Sequence, residues 1–204
     1  MTPMPAAIRR SLSVARSASV VTLLAASLTT AGGAQQLGAR EGFWGSGGFG
    51  MAFGAARCSV CSGSREAGVS ASLGAGAAIN PSVAIGVDGN GWRSDEGGVD
   101  LGMGAVTALL LWYPNPRAPW YFSVGSGLLF YRADDDDPDV PAVTARSLGL
   151  RAGVGYDFRI ADQFSLTPFF NFLGSVGANL AADGESLTGA RLTLIQFGAG
   201  LTYR

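Results

Sequence analysis

Apolar residues fall on every second position in eight separate stretches of this chain, and the last stretch runs to within one residue of the C-terminus. Ile195, Phe197, Ala199, Leu201 and Tyr203 alternate there with Gln196, Gly198, Gly200 and Thr202. Most domains end in polar residues that fray; this one ends on a strand. A period of two places alternate side chains on opposite faces of a strand, so every stretch has one apolar face that some medium must cover.

The other stripes are Phe43, Gly45, Gly47, Phe49, Met51 and Phe53; Val69 to Ile79 on odd positions; Val83, Ile85 and Val87; and Val99, Leu101, Met103, Ala105, Thr107, Leu109 and Leu111. Then come Trp120, Phe122, Val124, Ser126, Leu128 and Phe130; Leu148, Leu150, Ala152, Val154, Tyr156 and Phe158; and Phe164, Leu166, Pro168, Phe170 and Phe172. The connections alternate in kind. Those at 80–82, 114–119 and 161–163 are short, whereas those around 57–67, 93–98, 133–143 and 175–190 are longer or charged. Short turns at one end and polar loops at the other predict an all-β, eight-stranded, antiparallel, up-and-down transmembrane β-barrel. An even strand count places both termini at the short-turn end.

The composition of the second face indicates which face meets lipid. A water-facing exterior carries many charges, but here the second face is mostly Gly, Ser and Ala, which suits the narrow lumen of an eight-stranded barrel. Asp88, Arg151, Asp157 and Arg159 share that face and predict a polar network in the lumen, either a structural plug or a narrow path for ions or protons. A buried charge needs a partner. The aromatics Phe43, Trp44, Trp112, Tyr113, Trp120, Tyr121, Phe158, Phe164 and Tyr203 all fall at short-turn ends and predict an interfacial belt, with Phe53, Trp92, Phe130 and Phe172 forming a sparser one at the other rim. Pro168 lacks an N–H, which predicts a bulge there.

Residues 1–34 differ from the rest. Arg9, Arg10 and Arg16 precede an apolar run from Val20 to Leu28, and "TTAGGA" closes on small residues. This layout predicts a signal peptide cleaved after Ala34, leaving a barrel domain over 35–204. That domain holds 11 arginines against 15 carboxylates, a net charge of −4, with no lysine and no histidine. No basic stripe exists for a nucleic-acid partner, and the longest later apolar run, 101–113, is too short for a spanning helix.

Gln196, Gly198, Leu201 and Tyr203 form the pattern polar, any, Gly, any, any, apolar, any, aromatic, which resembles the C-terminal signal of outer-membrane proteins. Arg204, following the aromatic, is a departure from it. Over residues 40–204 the chain is similar to small eight-stranded barrels of the OmpA/OmpX and opacity-protein kind. The resemblance implies outer-membrane placement in a Gram-negative-type bacterium, periplasmic termini, and outer-membrane lipids and the assembly machinery as partners. It implies no activity.

Other candidates are local. Cys58 and Cys61 form C-x-x-C; in an exported chain a local disulfide is the expectation, with free thiols the alternative. Asp134, Asp135, Asp136, Asp137 and Asp139 read as a solvated loop tip, or as a weak cation site lacking the spacing of a calcium loop. "GSGGFG" at 45–50 matches a dinucleotide fingerprint, but alternation runs straight through it and no helix is foreseen after it. Without histidine or lysine, the usual nucleophile–base pairs are missing, so no enzyme activity and no cofactor are expected. The expected role is structural or surface contact with an external ligand through acidic loops. The alternatives are a narrow channel and, more weakly, a soluble exported lipid-binding barrel.

Overall fold

Strands follow one another with no intervening helix among the described residues. The computed structural model describes residues 40–58, 64–137, 139–182 and 185–204. The proposed signal peptide, 1–34, and Cys61 lie outside them. The strands are β1 (Phe43–Arg57), β2 (Glu66–Asn80), β3 (Val83–Glu96), β4 (Val99–Trp112), β5 (Trp120–Asp135), β6 (Val143–Tyr156), β7 (Phe158–Arg159), β8 (Phe164–Ala182) and β9 (Glu185–Tyr203). The two-residue β7 continues β6 beyond a break at Asp157: both pair with β8 in one register. The sheet therefore has eight staves, each antiparallel to its neighbours.

β1 pairs with β9 from Gly45↔Tyr203 to Arg57↔Arg191, which closes the barrel. Closure leaves no sheet edge, as a bilayer requires of any spanning sheet. Stepping across partners from Trp44 through Gly76, Gly86, Leu109, Gly125, Arg151, Leu173 and Leu194 returns to β1 at Gly54, a stagger of ten residues. With eight staves that corresponds to a tilt of about 40°.

The loop end is more regular than the sequence suggests. The segment 93–98 is ladder rather than loop: β3 and β4 meet at a tight turn where Gly97 and Gly98 have φ of 64° and 85°. A side chain at either position is strained. β8 and β9 are each 19 residues long, whereas about 9–11 residues cross a bilayer, so the expected 175–190 loop is mostly a protruding hairpin. The bulge expected at Pro168 is absent. Pro168 faces Ala199 in unbroken register, and the shifts lie instead between Gly174 and Asn179. The ladder break falls at Asp157, near Pro168, on the neighbouring stave.

The stripes of β1, β2, β3, β5, β6, β8 and β9 face outward as their parity predicts, with Phe49, Leu73, Val87, Val124 and Leu148 all exposed. β4 is the exception. Met103, Ala105, Thr107, Leu109 and Leu111 are buried in the lumen, and Val106, Leu110 and Trp112 are outside. Its second half, "TALLLW", is apolar on both faces, so alternation there carries no direction. The belt is also divided by parity. In the neighbouring pairs Phe43/Trp44, Trp112/Tyr113 and Trp120/Tyr121, the first ring is outside and the second turns inward. Trp92, expected at the far rim, is buried in the lumen and donates from Nε1 to the Ala52 carbonyl at 3.1 Å.

Candidate functional site: three layers in the lumen

Inward positions of the eight staves fill the barrel in three layers. At the loop end lies an apolar layer. Leu129 and Leu192 are 0% exposed, Leu173 and Leu194 1%, and Trp92 and Met103 pack with them. Ala52, Ala105, Ala145, Ala178 and Ala190 lie among them, so the Gly/Ser/Ala lumen expected from sequence is interrupted here by large apolar side chains.

The middle layer is polar and links six staves. Asp88 on β3 and Arg151 on β6 approach across the lumen, Nε to Oδ2 at 3.1 Å. Thr107 on β4 donates to Asp88, and Asn90 Nδ2 donates to the same carboxylate at 2.7 Å. Arg151 donates to Ser123 Oγ on β5 at 3.2 Å and to Asn171 Oδ1 on β8 at 2.9 Å; Asn171 in turn donates to Gln196 Oε1 on β9 at 3.1 Å. Each charge thus has an opposite charge and further hydrogen bonds, which is what makes a buried pair tolerable.

The floor closes the short-turn end. Asp157, in the break between β6 and β7, is fully buried and pairs with Arg204 Nη1 at 2.8 Å. It accepts from Tyr113 Oη at 3.2 Å and from Thr167 Oγ1 at 2.8 Å. Arg204 also donates to the Tyr113 hydroxyl. Burial, then the Asp157 carboxylate, push the Tyr113 phenol above its usual range, so it stays protonated and donates. Arg40 stacks on the Tyr113 ring at 3.7 Å and donates to the Pro116 carbonyl at 2.7 Å. Trp44, Leu109 and Leu111 surround this group. Between floor and middle layer lies a cavity of about 50 Å³, bordered by Asp88, Arg151, Tyr121 and Arg204.

Asp88 and Arg151 therefore meet, Asp157 belongs to the floor, and Arg159 is bonded into the 161–163 turn through the Ala161 and Asp162 carbonyls. Sequence reasoning missed Arg204, Tyr113 and Arg40. The available signals were the cation beyond the terminal aromatic and the lone cation just before the first strand. Arg40 and Arg204 place both described ends beside the short turns: Arg40 Nη1 also reaches the Pro81 carbonyl, and the Arg204 N–H donates to Gln163 at 3.0 Å.

The C-terminal pattern acquires separate physical roles. Gln196 is fully buried in the middle layer. Gly198 pairs with Gly50 on the closing seam, where a Cβ would sit 2.3 Å from the Phe49 carbonyl oxygen. Leu201 faces outward, and the Tyr203 ring lies 5.4 Å from that of Phe164. In the acidic loop, Asp134 pairs with Arg132. Asp135 accepts from the Asp137 N–H and Asp137 from the Asp139 N–H, each at 3.0 Å, while the Asp136 N–H donates to Gly98. Among the described residues, no group of three or more acidic or sulfur side chains is arranged to hold a metal. Cys58 follows β1 and packs against the apolar layer; its pairing with Cys61 lies outside the described residues. "GSGGFG" is simply part of β1.

No protein-family model matches the chain, and no curated protein matches it either. Solved structures do. Neisserial surface protein A aligns with 18% identity and a TM-score of 0.53, covering 79% of this chain and 96% of its own. A major outer membrane protein of Thermus thermophilus aligns with 14% identity and a TM-score of 0.51, covering 80% and 98%. Ail, the attachment invasion locus protein of Yersinia pestis, in complex with the heparin analogue sucrose octasulfate, aligns with 16% identity and a TM-score of 0.50, covering 80% and 99%. At such identities the likeness is one of fold: a small, closed, eight-stranded barrel of the kind found in outer membranes.

Proposed function

We propose that this chain stands in an outer membrane of the Gram-negative type, with lipid around its apolar wall and both termini on the periplasmic side, in a structural or surface-contact role. The observation that carries the reading is the separation of the two faces. Large apolar side chains such as Phe49, Val69 and Leu73 are exposed on the outside, while the ion pairs Asp88–Arg151 and Asp157–Arg204 are inside. A water-soluble barrel would need the reverse. A lipid carrier would also need a large apolar cavity, whereas the lumen space beside the polar layer is about 50 Å³.

The lumen is plugged in this reading, since the apolar layer of Leu129, Leu173, Leu192 and Leu194 spans it above the ion pairs. External contact belongs to the loops, among them the acidic one at 133–143 and the one stapled by a Cys58–Cys61 disulfide, with an unidentified ligand. Assembly machinery reads the strand that carries Gln196, Gly198, Leu201 and Tyr203. Absence of histidine and lysine argues for a non-enzymatic role. The runner-up, a narrow ion path, draws on the cavity beside Asp88 and Arg151. Planar-bilayer recording separates the two: the plugged barrel gives no steady conductance, and steady open events at neutral pH would establish the channel.

A further inference from the structure

On the outer wall, at the loop end of the closing seam, Arg57 of β1 and Arg191 of β9 are direct cross-strand partners, and both are exposed. Like charges placed opposite each other in a ladder repel. A third cation joins them. Arg65 donates from Nη1 to the Phe53 carbonyl at 3.3 Å and from Nη2 to Thr193 Oγ1 at 3.4 Å, just below the Arg57–Arg191 pair. Among the described residues, none of the three arginines forms an ion pair. The neighbouring connection, 59–63, contains no charged residue, and Glu66 accepts from Ser64.

The opposite wall is built differently. Arg93 has Asp100 at 2.7 Å, and Arg132 has Asp134. In a domain with more carboxylates than arginines, the seam cations have none as an ion-pair partner among the described residues.

Their height supports the assignment. The outward ring of Phe43 belongs to the lower belt, and Phe53, whose ring lies 6.0 Å from that of Phe197, stands ten residues further up β1. At a rise of about 3.3 Å per residue and a tilt of about 40°, that separation is about 25 Å, the height of the apolar band on such barrels. Arg57 stands about 10 Å above Phe53 by the same arithmetic. That is the level of lipid headgroups, within reach of long side chains that lean toward the interface. Guanidinium groups bind phosphate oxygens in paired hydrogen bonds.

We propose that Arg57, Arg65 and Arg191 form a binding site for the phosphate of an anionic membrane lipid in the leaflet at the loop end of the barrel. The phosphate relieves the repulsion across the seam and draws one lipid to the place where the barrel closes. The site rests on the membrane reading above.

The test reconstitutes the full barrel in phosphatidylcholine bilayers and uses electron paramagnetic resonance to compare immobilisation of spin-labelled phosphatidic acid with that of spin-labelled phosphatidylcholine. The expected result is a preference for phosphatidic acid of about fivefold or more, falling to near parity in Arg57→Gln/Arg191→Gln and persisting in Arg93→Gln/Arg132→Gln. Heat-dependent gel migration confirms that each variant is folded. No preference in the parent barrel overturns the proposal whatever the variants do, as does an equal loss in both double variants. Inorganic phosphate at matching concentration leaves the lipid signal unchanged; displacement by it would make this a free-phosphate site and overturn the lipid assignment. A barrel that never enters the bilayer refutes the membrane reading itself, whereas insertion without selectivity refutes this site alone.

Discussion

Asp88 shows what a single residue does inside this barrel. Its carboxylate neutralises Arg151 and takes hydrogen bonds from Thr107 and Asn90, all in the lumen. Asp88→Ala leaves a buried guanidinium without its counter-charge and should destabilise the fold by about 3–5 kcal/mol in reversible urea unfolding from lipid vesicles. Adding Arg151→Met should recover much of that loss, because replacing a whole buried pair with apolar groups is often near neutral. Equal destabilisation in the single and double variants would mean that the pair is not coupled. Glycine makes a second contrast. Gly198→Ala drives a Cβ against the Phe49 carbonyl, whereas Gly91→Ala meets nothing within 4 Å. The first should lose about 1–3 kcal/mol by overpacking and the second should stay within about 0.5 kcal/mol, both read from the same unfolding curves.

At the scale of the element, what the sequence revealed depended on contrast between the two faces of a strand. β2 alternates Val69, Ala71 and Leu73 with Ser70, Ser72 and Gly74, and its outward face was legible at once. β4 carries Ala108, Leu109, Leu110 and Leu111 in succession, so either parity satisfies the apolar rule, and only pairing with β3 and β5 decides it. The same ambiguity hid the inward turn of Trp44, Tyr113 and Tyr121, each next to an outward aromatic. A cysteine scan tests the reversal: Leu110→Cys should be labelled by a lipid-soluble reagent in bilayers, and Leu109→Cys should resist. The opposite ranking would restore the sequence-based assignment. Connection length was legible at the short-turn end and at 57–67 and 133–143, but not at 93–98 or 175–190. In those two segments, polar residues that read as loops continue the ladder, because a strand protruding into water tolerates polar side chains on both faces.

For the whole molecule, closure creates what no local pattern contains. The ten-residue stagger brings β3 opposite β6, so that Asp88 meets Arg151. It also returns Arg204 from the last strand to Asp157 in the break of the sixth stave. Parity predicted that Asp88, Arg151 and Asp157 face inward. It could not predict their partners, since those depend on shear, nor the Leu129–Leu173–Leu192–Leu194 layer, whose residues resemble a lipid-facing stripe out of register. One medium outside and another inside is the claim on which the whole account depends. The most direct measurement places nitroxide labels at Leu73, Val124 and Val154 in bilayer-reconstituted protein and records collision with oxygen and with a water-soluble nickel complex. The account predicts frequent collision with oxygen and little with nickel at all three positions; ready access of nickel would contradict it.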